Sequence, residues 1–278
     1  MEQTENRKQW ESAAAGWAKW ETKIAELVEP ATRAMFEMAH VTTGARVLDL
    51  ASGAGSQTLA AARMVGPEGH VLASDISANM LWYVEGQAEA AHLENISTIQ
   101  AAAEEIELPA ESFDAVICRL GLMLFADPSL AVRKAWQVLK PGGRLAAVVF
   151  TVPAANPFMA QTMEVLLRHT GKKPPAPGQP GIFALGAPGM IEKLFTADGF
   201  GKVEKRTYTL SLQLASAGEA LSMMQDAFGA YHAVLQDSPE AVRAAAWAEV
   251  QETLKGFETG QGFKATLEVL VAAGSKQA

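Results

Sequence analysis

At 278 residues and 49% apolar composition, the chain can bury a full core as one large domain, or as one domain with an elaborated cap. Its formal net charge of −8 argues against a surface built for nucleic acid or an anionic membrane, since both call for clustered Lys and Arg. The single cysteine, Cys118, excludes a disulfide framework and a cysteine-based zinc site. No apolar run approaches the ~20 residues of a membrane span and the first residues are polar, so a cytoplasmic protein is the expectation.

Residues 1–40 read as an N-terminal helical lid. Trp10, Trp17, Trp20, Ile24 and Leu27 recur at roughly helical spacing, Pro30 allows a break, and a second helix starts near Met35. The tryptophans either pack this helix onto the domain or, through Trp17 or Trp20, lay an aromatic face over a ligand. From 41 to 151 strand and helix alternate. Val47-Leu-Asp-Leu-Ala-Ser-Gly-Ala-Gly55 is a buried strand that stops at two glycines and turns into a helix opening with Ser56-Gln57-Thr58. The free N–H groups at that helix start suit a carboxylate or phosphate. A second strand, 70–74, leads to Asp75, placed 20 residues past Gly55 where a ribose diol requires an acid.

Ser77 then caps a helix with Met80, Val84 and Ala88 on one face. Short strand 96–101 and buried strand 113–118 follow, Asp127-Pro128 opens a helix, Lys140-Pro-Gly-Gly143 ends it, and 144–150 is the fifth strand. Such apolar strands mean a parallel sheet covered on both faces. Further on, 171–181 must be a loop, and 187–198 is a helix that stops at Gly199. A strand at 202–214 is expected to pair antiparallel with one at 263–271, and 216–258 carries two helical patterns broken near Ser238-Pro239. The fold class is therefore α/β: a doubly wound, mostly parallel, seven-stranded Rossmann-like sheet with a terminal antiparallel strand pair and a helical cap. Residues 41–151 form the core, 152–186 and 215–260 the cap, and 187–214 with 261–278 complete the sheet.

In style and order, Val47–Gly55, Asp75-Ile-Ser-Ala-Asn-Met80, Leu108-Pro109 with Ser112-Phe-Asp114, and Leu139-Lys-Pro-Gly-Gly-Arg-Leu145 resemble the class I S-adenosylmethionine (SAM)-dependent methyltransferases. The nearest group is that of the quinone-biosynthesis and small-molecule enzymes. The resemblance implies SAM as cofactor and S-adenosylhomocysteine (SAH) as product. It places the backbone of Ala51, Ser52, Gly53 and Gly55 against the methionine part of SAM, with Asp49 accepting from its ammonium. Asp75 would take the ribose hydroxyls, Ile76 and Met80 would face adenine or ribose, Arg119 would lie near the methionine portion, and Trp17 would cover the cofactor. Ala51 departs from the usual first glycine. Ala102 falls where relatives place an adenine-reading aspartate, so the Ala103 N–H or Glu104 would stand in.

Methyl transfer needs little acid–base help, because positioning and exclusion of water carry it. If the acceptor is an un-ionised hydroxyl or a carbon acid, a histidine is the usual base. Tyr231-His232 is the best base candidate among five histidines, against a packing or surface role. Cap residues such as Phe158, Met159, Met223, Met224 and Phe228 are either core or the walls of a pocket for a hydrophobic or aromatic acceptor. The partner expected is such a small molecule, with no nucleic acid and no membrane span, and a homodimer is allowed. Two other readings compete. One is a SAM-fold protein that catalyses a non-methylating reaction. The other is an NAD(P)-dependent oxidoreductase, disfavoured because Thr58 stands where the third glycine of its fingerprint belongs.

Overall fold

A computed structural model describes residues 3–175 and 179–277. Part of the expected loop at 171–181, namely 176–178, lies outside these residues, as do positions 1, 2 and 278.

The chain opens with one helix, α1 (Gln3–Met38), rather than two, with Pro30 inside it. An interior proline costs roughly 3 kcal/mol of helix stability. Here burial offsets that cost on both sides of the proline: Val28, Ala31, Ala34, Met35 and Met38 are all buried in the main core. The second half of α1 therefore belongs to the core, and only its first half overhangs the site.

The alternation read from the sequence follows as β1 (Arg46–Leu50), α2 (Ser56–Val65), β2 (His70–Asp75), α3 (Ala78–Ala90), β3 (Ile96–Gln100), β4 (Phe113–Arg119), α4 (Pro128–Val138) and β5 (Leu139–Phe150). The Ser77 hydroxyl accepts from the Met80 N–H and Asp127 accepts from the Leu130 N–H, so both expected caps hold their helices. β5 starts five residues earlier than its apolar run, at Leu139, which pairs with Phe113 across an irregularity between Phe113 and Ala115. Lys140 in this turn donates to Asp114 at 2.7 Å, and Asp114 also accepts from the Arg46 N–H at 2.8 Å. The Ser-Phe-Asp and Lys-Pro-Gly-Gly signatures thus tie three strand beginnings together at the end of the sheet remote from the crevice.

The remainder comprises α5 (Pro157–Thr170), α6 (Met190–Ala197), β6 (Phe200–Leu214), α7 (Ala217–Ala227), α8 (Gly229–Leu235), α9 (Glu240–Lys255), β7 (Glu258–Thr259) and β8 (Gly262–Lys276). The expected pair of helices at 216–258 is three, because the chain also breaks at Phe228. Strand order is β3-β2-β1-β4-β5-β8-β6, with the two-residue β7 added on β8 as an eighth strand. β1 to β5 are parallel, and β8 runs antiparallel between β5 and β6. That terminal strand pair is foreign to the dinucleotide-dehydrogenase alternative. The strand order reverses between β1 and β4, and a ligand crevice is expected at their carboxyl ends.

Candidate functional site

The turns after β1 and β4 form the floor of this crevice. Ala51 (φ 54°), Gly53 (φ 56°) and Leu120 (φ 62°) all sit in the left-handed region, which costs a non-glycine residue roughly 1–2 kcal/mol. A Cβ on Gly121 would lie 2.6 Å from the Ala51 Cβ and 3.1 Å from the Cys118 sulfur, so the two turns meet only because Gly121 has none. Cys118 is buried under that contact, and burial pushes its thiol up, which suits packing rather than nucleophilic chemistry.

Asp75, at the end of β2, lines the crevice and is 7% exposed. One carboxylate oxygen accepts from the Gly53 N–H at 3.0 Å and the other from the Ser77 N–H at 2.9 Å. Burial raises its pKa to about 6, against the pull of those backbone donors. Ile76, Met80, Ala102, Ala103 and Glu104 continue the wall, and Glu104 also accepts from the Asp127 N–H at 3.2 Å. Arg119 lines the opposite end; its guanidinium donates to Thr32 (3.3 Å) and Ser56 (2.6 Å). Burial lowers its pKa, while the carboxylates of Asp49 and Glu21 oppose that shift.

The first half of α1 closes the crevice. Trp17 rests its indole edge on Gly53, where an added Cβ would lie 2.9 Å from Nε1. Trp10 stands edge-to-face with Trp17, ring centroids 6.2 Å apart. Two carboxylates pin this helix. Glu11 takes the start of α3, accepting from the Ala78 N–H (2.8 Å), the Asn79 N–H (3.1 Å) and the Ser77 hydroxyl (3.0 Å). Glu21 takes the start of α2, accepting from the Ser56 N–H (2.7 Å) and Gln87 (2.8 Å). Both helix termini carry partial positive charge, and here the protein's own acids satisfy it.

Several expected site residues stand elsewhere. Asp49, Ser52 and Gly55 do not line the crevice. Asp49 is fully buried behind it, accepting from Thr58 (2.6 Å) and Gln57 (3.4 Å), and burial raises its pKa to about 7. It holds the β1–α2 turn from below. Gly55 faces Val84 and Leu59, and Ser52 is buried with its N–H on the Ser74 carbonyl. The start of α2, read as a ligand anion site, is occupied by Glu21. Trp20 donates to Asp226 at 2.7 Å and is no lid.

The base candidate is also corrected. His232 hydrogen-bonds the Gln225 carbonyl at 2.6 Å, beside Trp247, and lines neither cavity. Tyr231 is fully buried; its hydroxyl donates to the Met159 carbonyl (2.9 Å) and meets the Thr162 hydroxyl (3.0 Å). Burial pushes its pKa above the ordinary phenol value, so it accepts no proton at neutral pH. His169 pairs with Glu249 at 2.7 Å. Among the described residues no histidine lines a chamber.

A second chamber abuts the first, between α1, α5, α7, α8 and the antiparallel end of the sheet. It encloses about 720 Å³ including its mouth, against about 660 Å³ for the crevice. Ile24, Met123, Phe158, Met159, Met223 and Phe228 are among its walls, and Tyr231 is the one residue among the described walls that carries a hydroxyl, which is turned to Met159 and Thr162. Four residues line both spaces: Trp10, Trp17, Leu120 and Leu124. The sequence reading missed Asn6, Trp10, Ala101, Leu120, Gly121, Leu124 and Phe125 as crevice residues; for the last four, the apolar run after Arg119 was the available signal.

The sequence profile of the ubiE/COQ5 methyltransferase family matches residues 29–170, just over half of the chain. The chain belongs to this family. It is 40% identical over 126 residues to the ubiquinone/menaquinone biosynthesis C-methyltransferase UbiE of Hahella chejuensis, covering 45% of this chain and 50% of that one. It thus spans about half the length of the curated relatives it matches. Among solved structures, the YcgJ protein of Bacillus subtilis aligns over 90% of this chain and 99% of its own, with a TM-score of 0.61 and 20% identity. A putative methyltransferase of Bacillus halodurans aligns over 89% and 99%, with a TM-score of 0.59 and 19% identity. At these identities the likeness establishes the fold, and with it the mostly parallel sheet with an antiparallel end. No helix among the described residues is long and apolar enough to cross a membrane.

Proposed function

We propose that this member of the ubiE/COQ5 methyltransferase family transfers a methyl group from SAM to a small lipophilic aromatic acceptor of the quinol type. The observation that carries the reading is the pair of abutting chambers, one rimmed by Asp75 and Arg119, the other apolar, sharing a four-residue wall. The crevice fits an adenosyl amino acid: Asp75 for the ribose hydroxyls, Ile76 and Met80 for flat apolar faces, the Ala103 N–H and Glu104 for the adenine edge, and Arg119 toward the amino-acid end. Bound SAM would supply an activated methyl on a positively charged sulfur.

The protein's part is then positioning. The first half of α1 acts as a lid that excludes water, and α5, α7 and α8 form the cap around the acceptor. No His, Asp, Glu, Lys or Arg belongs to the described walls of the apolar chamber. The acceptor therefore brings its own nucleophile, such as a ring carbon made electron-rich by an adjacent ionised hydroxyl. The quinone-biosynthesis name of the Hahella relative supports a quinone-related acceptor. The decisive experiment follows labelled methyl from SAM into a panel of lipophilic phenols and quinols, with amines, peptides and RNA alongside. Label entering the aromatic acceptors is expected; label entering only RNA or peptide, or no SAM binding by calorimetry, would defeat the proposal.

A further inference from the structure

The shared wall of the two chambers has a chemical consequence for the donor. A methyl group passing from crevice to chamber must leave its sulfur at that wall, so a bound donor sulfonium would lie beside Trp10, Trp17, Leu120 and Leu124, the residues that line both spaces. Two of these are leucines and none is a carboxylate. The crevice acids are Asp75, committed to two backbone donors, and Glu104, which accepts from Asp127. The one cation among the described residues lining the crevice, Arg119, is turned toward Thr32 and Ser56 and feels the Asp49 and Glu21 carboxylates. What the junction offers a positive charge is aromatic rings. Trp17 is held there by its edge on Gly53 and by Trp10 standing perpendicular at 86°.

We propose that Trp17 is the residue that recognises the positive charge of the sulfonium, with Trp10 as the positioning residue that fixes its ring. This rests on the SAM-dependent reading above. The charge is what distinguishes donor from product. In transfer the acceptor's electron pair forms the new bond to carbon and the S–CH₃ pair stays on sulfur. The acceptor's proton, where it has one, is given up to solvent once the methylated acceptor leaves the chamber, and the product thioether is neutral. A ring face attracts the cation more strongly than the neutral thioether, so Trp17 favours SAM over SAH and loosens its hold once the methyl has gone.

The test is calorimetric affinity for SAM and for SAH in the wild type, Trp17→Phe and Trp17→Leu, with no turnover involved. SAM affinity relative to SAH is expected to fall roughly 2- to 30-fold in Trp17→Leu, the range of a cation–π contact, and by less in Trp17→Phe. Trp10→Leu should shift the ratio in the same direction. Equal losses for SAM and SAH in both Trp17 variants would assign the ring to shape alone and overturn the inference. Should Trp17→Leu fail to fold, an unchanged ratio in Trp17→Phe together with Trp10→Leu has the same force. A wild type that binds neither ligand would instead sink the SAM reading on which the inference stands.

Discussion

Replacing Asp75 with Asn probes the crevice through two observables that should respond oppositely to pH. Each carboxylate oxygen accepts one backbone N–H, from Gly53 and from Ser77. In either amide orientation, the asparagine side chain would turn an NH₂ group toward one of those donors. A buried donor left without an acceptor costs about 1–3 kcal/mol; this loss of unfolding stability should show at about pH 5 and be offset above about pH 7, where the neutral amide is spared the burial cost of an ionised carboxylate. Burial raises the Asp75 pKa from 3.8 to about 6. A carboxylate with a raised folded pKa stabilises the fold below its unfolded pKa, and that contribution disappears as pH rises through the folded value. At ~1.4 kcal/mol per unit, Asp75 forfeits about 3 kcal/mol between roughly pH 4 and pH 7. Cofactor binding should run the other way, since ribose hydroxyls donate best to the ionised form. SAM affinity should therefore strengthen as pH rises through about 6. In Asp75→Asn that rise should flatten, with affinity at neutral pH weaker by about 1.5–3 kcal/mol. Urea unfolding and calorimetry at about pH 5 and about pH 8 read both quantities. Unaltered SAM affinity in the Asn variant at both pH values would refute the ribose assignment.

Three further substitutions examine other parts of the site. Gly53→Ala places a Cβ at φ 56° and 2.9 Å from the Trp17 Nε1, so it should lose roughly 1–2 kcal/mol of stability and displace the lid, read by unfolding and by Trp fluorescence. Full stability would mean that the indole is not seated there. His232→Ala should leave methyl transfer unchanged, because the ring bonds Gln225 outside both chambers; a collapse in kcat would restore it as a base. Met223→Trp fills the apolar chamber, so the acceptor KM should rise with SAM affinity intact, and an unchanged KM would place the acceptor elsewhere.

The parallel core was legible because its strands, apart from the short and partly alternating β3, carry apolar runs between turn signals, and because Ser77 and Asp127-Pro128 mark helix starts by local chemistry. What escaped was non-local. Pro30 reads as a break only until the packing of α1 on the core is known. Glu11 and Glu21 cap α3 and α2 from 67 and 35 residues away, and no local pattern announces such partners. Asp49 and Asp75 end adjacent strands and look alike in sequence, yet one side chain lies beneath the floor and the other on it. Tyr231 and His232 are neighbours on one helix, where successive side chains point about 100° apart, so one enters the chamber and the other leaves it. The chamber itself was readable only as a surplus of Met and Phe in the cap.

The most direct measurement is the structure of the protein with SAH and a lipophilic quinol analogue bound together. The adenosyl group is expected against Asp75 and Met80, the sulfur beside Trp17 and Leu120, and the aromatic ring in the chamber walled by Met159 and Met223. Density for SAH away from the crevice, or an acceptor seated anywhere but behind that shared wall, would contradict the account.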